Sequence, residues 1–153
     1  MVSPKVVPFL WFDSAAEEAA AFYASLFPGS AVTSTTPGPD GRTMVVAFRL
    51  AGADFLALNG GPHFKFTEAI SLAVSCATQA EVDDLWAKLT AGGAPGQCGW
   101  LKDRYGLSWQ IVPEALPRLL NDPDRARAGR VMAAMMGMTK IDVAALEAAA
   151  KGE

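Results

Sequence analysis

Val6-Val7-Pro8-Phe9-Leu10-Trp11-Phe12-Asp13-Ser14-Ala15-Ala16-Glu17 reads as a buried strand that runs straight into a Ser-x-x-Glu box. A box with that spacing satisfies free N–H groups at a helix start. The apolar positions Ala16, Ala19, Ala20, Tyr23, Leu26 and Phe27 then recur at helical spacing, and Pro28-Gly29 ends the helix. The same opening returns further on: a strand from Ile70 to Cys76, the box Thr78-Gln79-Ala80-Glu81, and Val82, Leu85, Trp86 and Leu89 at helical spacing before Gly92-Gly93. A strand–helix opening that occurs twice in register implies a duplicated unit.

Three strands are expected behind the first helix, over 31–36, 43–50 and 55–59, parted by Pro37-Gly38-Pro39-Asp40-Gly41 and by Gly52. The first unit is therefore βαβββ, over about 4–61. The second, over about 69–113, looks like a trimmed copy, with strands over 98–102 and 107–112 that turn through Asp103-Arg104-Tyr105-Gly106. Helical segments over 114–120, 123–136 and 141–150 form a C-terminal cap over 114–153. The expected fold class is α+β in a single domain, 1–153: two βαβββ units form curved antiparallel sheets, each with a helix outside and a cup-shaped cavity inside, plus C-terminal helices. The two-residue period puts Leu107, Trp109 and Ile111 against a helix and leaves Ser108, Gln110 and Val112 on the other side, with Gln110 facing the cup.

The 153 residues are enough for a real core: a chain of this size buries roughly 68–70% of the surface its unfolded form exposes. With 51% hydrophobic and 19% charged residues it is too apolar to be disordered. A net charge of −3 without a basic block argues against nucleic acid as a partner. No stretch approaches the roughly 18 apolar residues of a membrane span, and the start Met1-Val2-Ser3-Pro4-Lys5 does not read as a signal peptide. The expected location is the cytoplasm, with no membrane partner. Cys76 and Cys98 show neither disulfide nor zinc-site spacing and are expected to be reduced.

The run from Gln97 to Pro113 (Gln97-Cys98-Gly99-Trp100-Leu101-Lys102-Asp103-Arg104-Tyr105-Gly106-Leu107-Ser108-Trp109-Gln110-Ile111-Val112-Pro113) resembles the signature of the PhnB-like family, often labelled 3-demethylubiquinone-9 3-methyltransferase-like, within the vicinal-oxygen-chelate (glyoxalase, bleomycin-resistance and dioxygenase) superfamily. Pro8-Phe9-Leu10-Trp11-Phe12, Phe22-Tyr23, Asn59-Gly60-Gly61-Pro62, and the tail from Val131 to Met138 followed by Lys140-Ile141-Asp142 agree with it, so the resemblance extends over nearly the whole chain. Metal-dependent relatives take one His, Glu or Gln ligand from the first and last strand of each unit. The resemblance carries those places onto Pro8, Asn59, Leu72 (Ser71 with a shift of one) and Gln110, a set that lacks imidazole and carboxylate, so no metal and no cofactor are expected. It also implies a C2 homodimer. No glycine-rich strand–turn–helix loop supports the methyltransferase label.

The chain thus reads first as a metal-independent protein that binds a small molecule, either sequestering it or moving a proton. Its cup would be lined by Leu10, Phe55, Asn59, Trp100, Lys102, Tyr105 and Gln110. Candidates for catalysis are Lys102, Gln110 and His63, the last being the only imidazole and sitting in the segment 60–67, which can serve as a lid with Phe64 and Phe66 as its contacts. Each residue also has a structural reading: amides that satisfy backbone, a turn built by Asp103, a surface histidine, and a buried inert Cys98. Met132, Met135, Met136 and Met138 would pack on the sheet or on a second subunit. The rival readings are a divalent-metal glyoxalase- or dioxygenase-type enzyme, an antibiotic-binding resistance protein, and a methyltransferase.

Overall fold

A computed structural model describes residues 4–153. The chain divides into two compact units, Met1–Phe66 and Thr67–Glu153. The first contains β1 (Phe9–Phe12), α1 (Ala16–Leu26), β2 (Ala31–Pro37), β3 (Thr43–Leu50) and β4 (Ala53–Asn59). The second contains β5 (Ser71–Cys76), α2 (Gln79–Thr90), β6 (Ala94–Pro95), β7 (Trp100–Lys102) and β8 (Ser108–Pro113), then α3 (Ala115–Leu120), α4 (Arg125–Met136) and α5 (Val143–Lys151). Both sheets have the same order, β1-β4-β3-β2 and β5-β8-β7-β6, so the duplication is real.

The sheets are mixed, which corrects the antiparallel expectation. β1 pairs parallel with β4 and β5 parallel with β8, while the other neighbours are antiparallel. The cause is parity. The helix after the first strand supplies one reversal of direction and the three-strand meander supplies the rest, so the first and last strands of each unit run the same way.

In the first unit the helix-facing layer is Leu10, Phe12, Val46, Phe48, Leu50, Phe55 and Ala57, and it packs against Ala16, Ala19, Ala20 and Tyr23 of α1; all are buried. Small alanines let the helix lie close, and Tyr23, Phe48 and Phe55 form a run of rings, with Phe48 and Phe55 stacked at 5.3 Å. β2 is an edge strand and exposed along its whole length.

The helix starts differ. Thr78 caps α2, accepting from the Glu81 N–H at 3.2 Å, while the Glu81 carboxylate accepts from the Ala77 N–H at 2.9 Å. The corresponding box at Ser14 does not form. α1 begins at Ala16 behind Ala15, with no cap from its own segment.

In the second unit Trp109 and Ile111 share the buried side of the sheet with Leu101, and α2 contributes Val82, Leu85 and Leu89. The C-terminal helices close on a cluster of Leu116, Leu119, Val131, Ile141, Leu146 and Ala150. Gln79 ties them to α2 by donating to the Ile141 carbonyl and accepting from the Val143 N–H. The methionine stripe divides: Met135 and Met138 pack on the cluster, whereas Met132 and Met136 are 44% and 61% exposed. Among the described residues no helix is long and apolar enough to cross a membrane.

Candidate functional site

Each sheet has a helix-covered face and a second, open face, and strand register decides which side chains fall on which. In the first unit the residues alternating with the buried set are Phe9, Trp11, Val45, Ala47, Leu56 and Leu58, of which Phe9 is 54% exposed and the rest half-buried. Leu10 and Phe55, expected to line the cup, lie instead under α1, 4% and 8% exposed. Four consecutive large apolar residues in β1 hide the alternation, and only packing against the alanine face of α1 fixes which pair turns inward.

Asn59 likewise points toward α1. Its Oδ1 accepts from the Ala16 N–H at 2.8 Å, and its Nδ2 donates to the Thr43 carbonyl at 3.1 Å. The last residue of β4 thus supplies the cap that Ser14 does not, and both ends of its amide are engaged within the fold. The segment after it is held down rather than free. Gly60 and Gly61 donate to the Phe12 and Asp13 carbonyls, and the Trp11 indole donates to the Gly61 carbonyl at 2.9 Å. A Cβ at Gly60 would run into the Trp11 ring. Phe64 meets Trp11 edge-on at 4.9 Å and Phe66 meets Phe12 at 5.3 Å, while His63 is exposed beside them.

In the second unit the open face carries Trp100, Lys102, Ser108 and Gln110, since Trp100 pairs with Gln110 and Lys102 with Ser108 across β7 and β8. Ser71 and Ala73 of β5 extend the row in register with Ser108 and Gln110. Gln110 is half-buried and its Nε2 donates to the Ser71 hydroxyl at 3.0 Å. Lys102 forms an ion pair with the Glu68 carboxylate, and the hydrogen bond from its ammonium, ahead of a backbone N–H and their mutual attraction, holds the Glu68 carboxyl below its ordinary range. Both ends of this pair stand about half in solvent, 46% and 62% exposed.

The turn joining β7 and β8 is built by Asp103. Its carboxylate is 3% exposed and accepts from the Tyr105 N–H at 2.8 Å, the Leu107 N–H at 3.1 Å and the Trp109 indole at 2.9 Å. Asp103 therefore holds the hairpin, which sets the positions of Lys102 and Tyr105 beside it. Cys98, with φ of 58°, sits at the other end of β7 and donates its N–H to the Met138 carbonyl. Cys76 is fully buried, and burial, then the charges of Glu81 and Glu114, push its thiol up to about 12.

The places that hold metal ligands in metal-dependent relatives do not fit a divalent ion. Pro8 offers only a carbonyl, which accepts from the Leu56 N–H; the Asn59 amide caps α1; Leu72 lies in register with the buried Trp109; and Gln110 is bonded to Ser71. Among the described residues no three His, Cys, Asp or Glu side chains gather.

A pocket of about 630 Å³ opens at the β6–β7 side of the second unit, lined by Glu68, Pro95, Gln97, Trp100, Lys102 and Ser108 among others. Glu68 is not reached from the sequence; Ser71 enters there only as the alternative to Leu72, and Ser108 only as a neighbour of Gln110 on one face. Parity already placed Ser108 beside Gln110, but a loop glutamate three residues ahead of a strand carries no pattern of its own.

A family model described as 3-demethylubiquinone-9 3-methyltransferase matches residues 4–112. The chain belongs to this PhnB-like family. The PhnB protein of Bacillus cereus is 34% identical over 72% of this chain and 99% of its own, with a TM-score of 0.67. A protein of Pseudomonas aeruginosa (20% identity, 73% and 98% covered, TM-score 0.60) and the genomically encoded fosfomycin resistance protein of Listeria monocytogenes (16%, 79% and 99%, TM-score 0.59) share the fold. A comparison with curated proteins found no match. The PhnB-like match ends at residue 112, so α3, α4 and α5 lie beyond it, although the tail had been expected to fall within the resemblance.

Proposed function

We propose that this PhnB-like protein binds a small molecule without the help of a metal ion, through the open face of its second sheet. The observation that carries the reading is the pocket beside β7: about 630 Å³, a size typical of small-molecule sites, and lined by an indole, an ammonium and a hydroxyl on one face. The chemistry available there is recognition. Trp100 offers a flat apolar surface, Lys102 a positive charge, and Ser108 a hydroxyl. If the bound molecule is turned over, Lys102 is the side chain through which a proton would pass. Binding in the cytoplasm by a C2 homodimer belongs to the same proposal, with the exposed Met132 and Met136 as an apolar surface for the second copy.

The test is a thermal-shift panel of metabolites, S-adenosylmethionine and divalent ions on protein prepared with and without chelator. The expected result is stabilisation by at least one organic compound, equal in both preparations. A shift that appears only with an added transition ion, or a stoichiometric metal in protein purified without chelator, overturns the reading.

A further inference from the structure

Buried hydroxyls in folded proteins have partners, and one that has none calls for an explanation. The Ser108 side chain is 1% exposed and its Oγ has no hydrogen-bond partner. It sits directly across from Lys102 in the β7–β8 register, where opposed residues place their Cβ atoms about 4.5–5.5 Å apart, and both line the pocket beside Trp100. Lys102 is already holding a carboxylate, that of Glu68, from the segment just ahead of β5.

A donor without an acceptor, an adjacent cation bound to a displaceable carboxylate, and an indole on the same face define what would complete the site. We propose that the pocket takes a small planar organic acid, its carboxylate held by the Ser108 hydroxyl and the Lys102 ammonium and its ring lying on Trp100, with Glu68 as the internal anion it displaces. This rests on the metal-independent binding reading above and adds the class of ligand. The exchange is chemically balanced: Lys102 keeps an anionic partner throughout, Glu68 moves into water, and Ser108 gains the acceptor it lacks. A neutral ring would leave Lys102 on Glu68 and gain only the stacking. A cation would meet the ammonium of Lys102.

The experiment is titration calorimetry of the full chain with benzoate, its neutral counterpart benzamide, and the cation benzylammonium. Benzoate is expected to bind at least roughly tenfold more tightly than benzamide, since a hydrogen bond to a charged group outweighs its neutral equivalent by about that factor. Benzylammonium is expected not to bind. Ser108→Ala should weaken benzoate roughly tenfold while leaving the unliganded melting temperature unchanged or raised, because it removes an unsatisfied hydroxyl. Glu68→Gln should tighten benzoate about two- to fivefold, the range of an exposed ion pair, and Lys102→Met should remove the preference for the anion.

Failure of benzoate to bind, equal binding of benzamide, or a Ser108→Ala variant that binds as the parent does overturns the proposal. So does a lowered melting temperature in that variant, which would mark the hydroxyl as part of the fold. Binding of a neutral or cationic compound without metal would remove the organic-acid class and leave the binding reading intact. Binding that requires an added divalent ion would remove the binding reading itself.

Discussion

Replacing Asp103 by Asn tests whether one carboxylate holds the hairpin that carries Lys102. Its Oδ1 takes the Tyr105 and Leu107 N–H groups and its Oδ2 takes the Trp109 indole N–H, all in a site only 3% exposed. In Asp103→Asn one oxygen becomes an NH₂ that meets an N–H. Placing that NH₂ toward Trp109 spoils one hydrogen bond, whereas flipping it toward Tyr105 and Leu107 spoils two, so the first arrangement sets the cost. A hydrogen bond to a charged acceptor contributes about 1.5–3 kcal/mol and a buried donor left unpaired costs about 1–3 kcal/mol; the two overlap rather than add, which puts the loss at about 3 kcal/mol. For a chain of this size that lowers the melting temperature by about 6–12 °C. Adding Trp109→Phe removes the opposed indole N–H, so the Asn penalty should fall to about 1 kcal/mol and the pair should couple by about 2 kcal/mol. Urea unfolding followed by far-UV circular dichroism reads all four proteins without relying on the tryptophan that is changed. An Asp103→Asn variant that melts within about 1 °C of the parent, or single and double changes that simply add, would refute this account of the turn.

Two further outcomes follow from the geometry. Asn59→Ala removes the acceptor for the first N–H of α1 and the donor to the Thr43 carbonyl, so it should cost about 1–2 kcal/mol and speed hydrogen exchange at Ala16; unchanged protection there would dismiss the cap. The Cys76 thiol is raised from 9.0 to about 12 in the folded chain, so above pH 9 unfolding releases a proton that the folded state keeps; its contribution is complete below pH 9 and is lost as the pH climbs toward 12. The stability advantage of the parent over Cys76→Ala should therefore shrink across that window in urea titrations, and parallel curves for the two proteins would contradict the assignment.

How much of this could be read from the sequence depended on whether a signal was local. Gly and Pro turns mark the strand ends closely: the strand expected over 43–50 is β3, and the one over 31–36 gains only Pro37. In β8, polar Ser108 and Gln110 alternate with Trp109 and Ile111, and the period alone gives the correct faces. In β1 it gives nothing, because Phe9, Leu10, Trp11 and Phe12 are apolar at every position; the inward pair is chosen by the helix it meets. Asn59 was legible as a polar residue at a strand end, but its partner Ala16 lies 43 positions away, and no spacing rule connects them. The Ser14 box shows the converse. Its spacing is correct, yet the helix starts one residue too late for it, and a side chain from another strand takes over the cap. The two-residue β6 is too short to leave any periodic trace.

The duplication explains why the proposed site falls on the second sheet. Both copies must cover one sheet face with a helix, so those positions remain large and apolar in each: Phe48 and Phe55 in the first, Trp109 and Ile111 in the second. The open faces carry no such burden, and they have diverged. The first presents Phe9, Trp11, Leu56 and Leu58; the second presents Ser71, Lys102, Ser108 and Gln110 with Trp100 among them. A purely structural face has no need of a buried hydroxyl without a partner, since the free energy of an unpaired polar group works against the fold. Ser108 there, next to a lysine whose counterion is an exposed glutamate, makes sense when the missing acceptor arrives from outside the chain. On that argument the first copy keeps an apolar surface and the second holds the groups proposed to meet an anion.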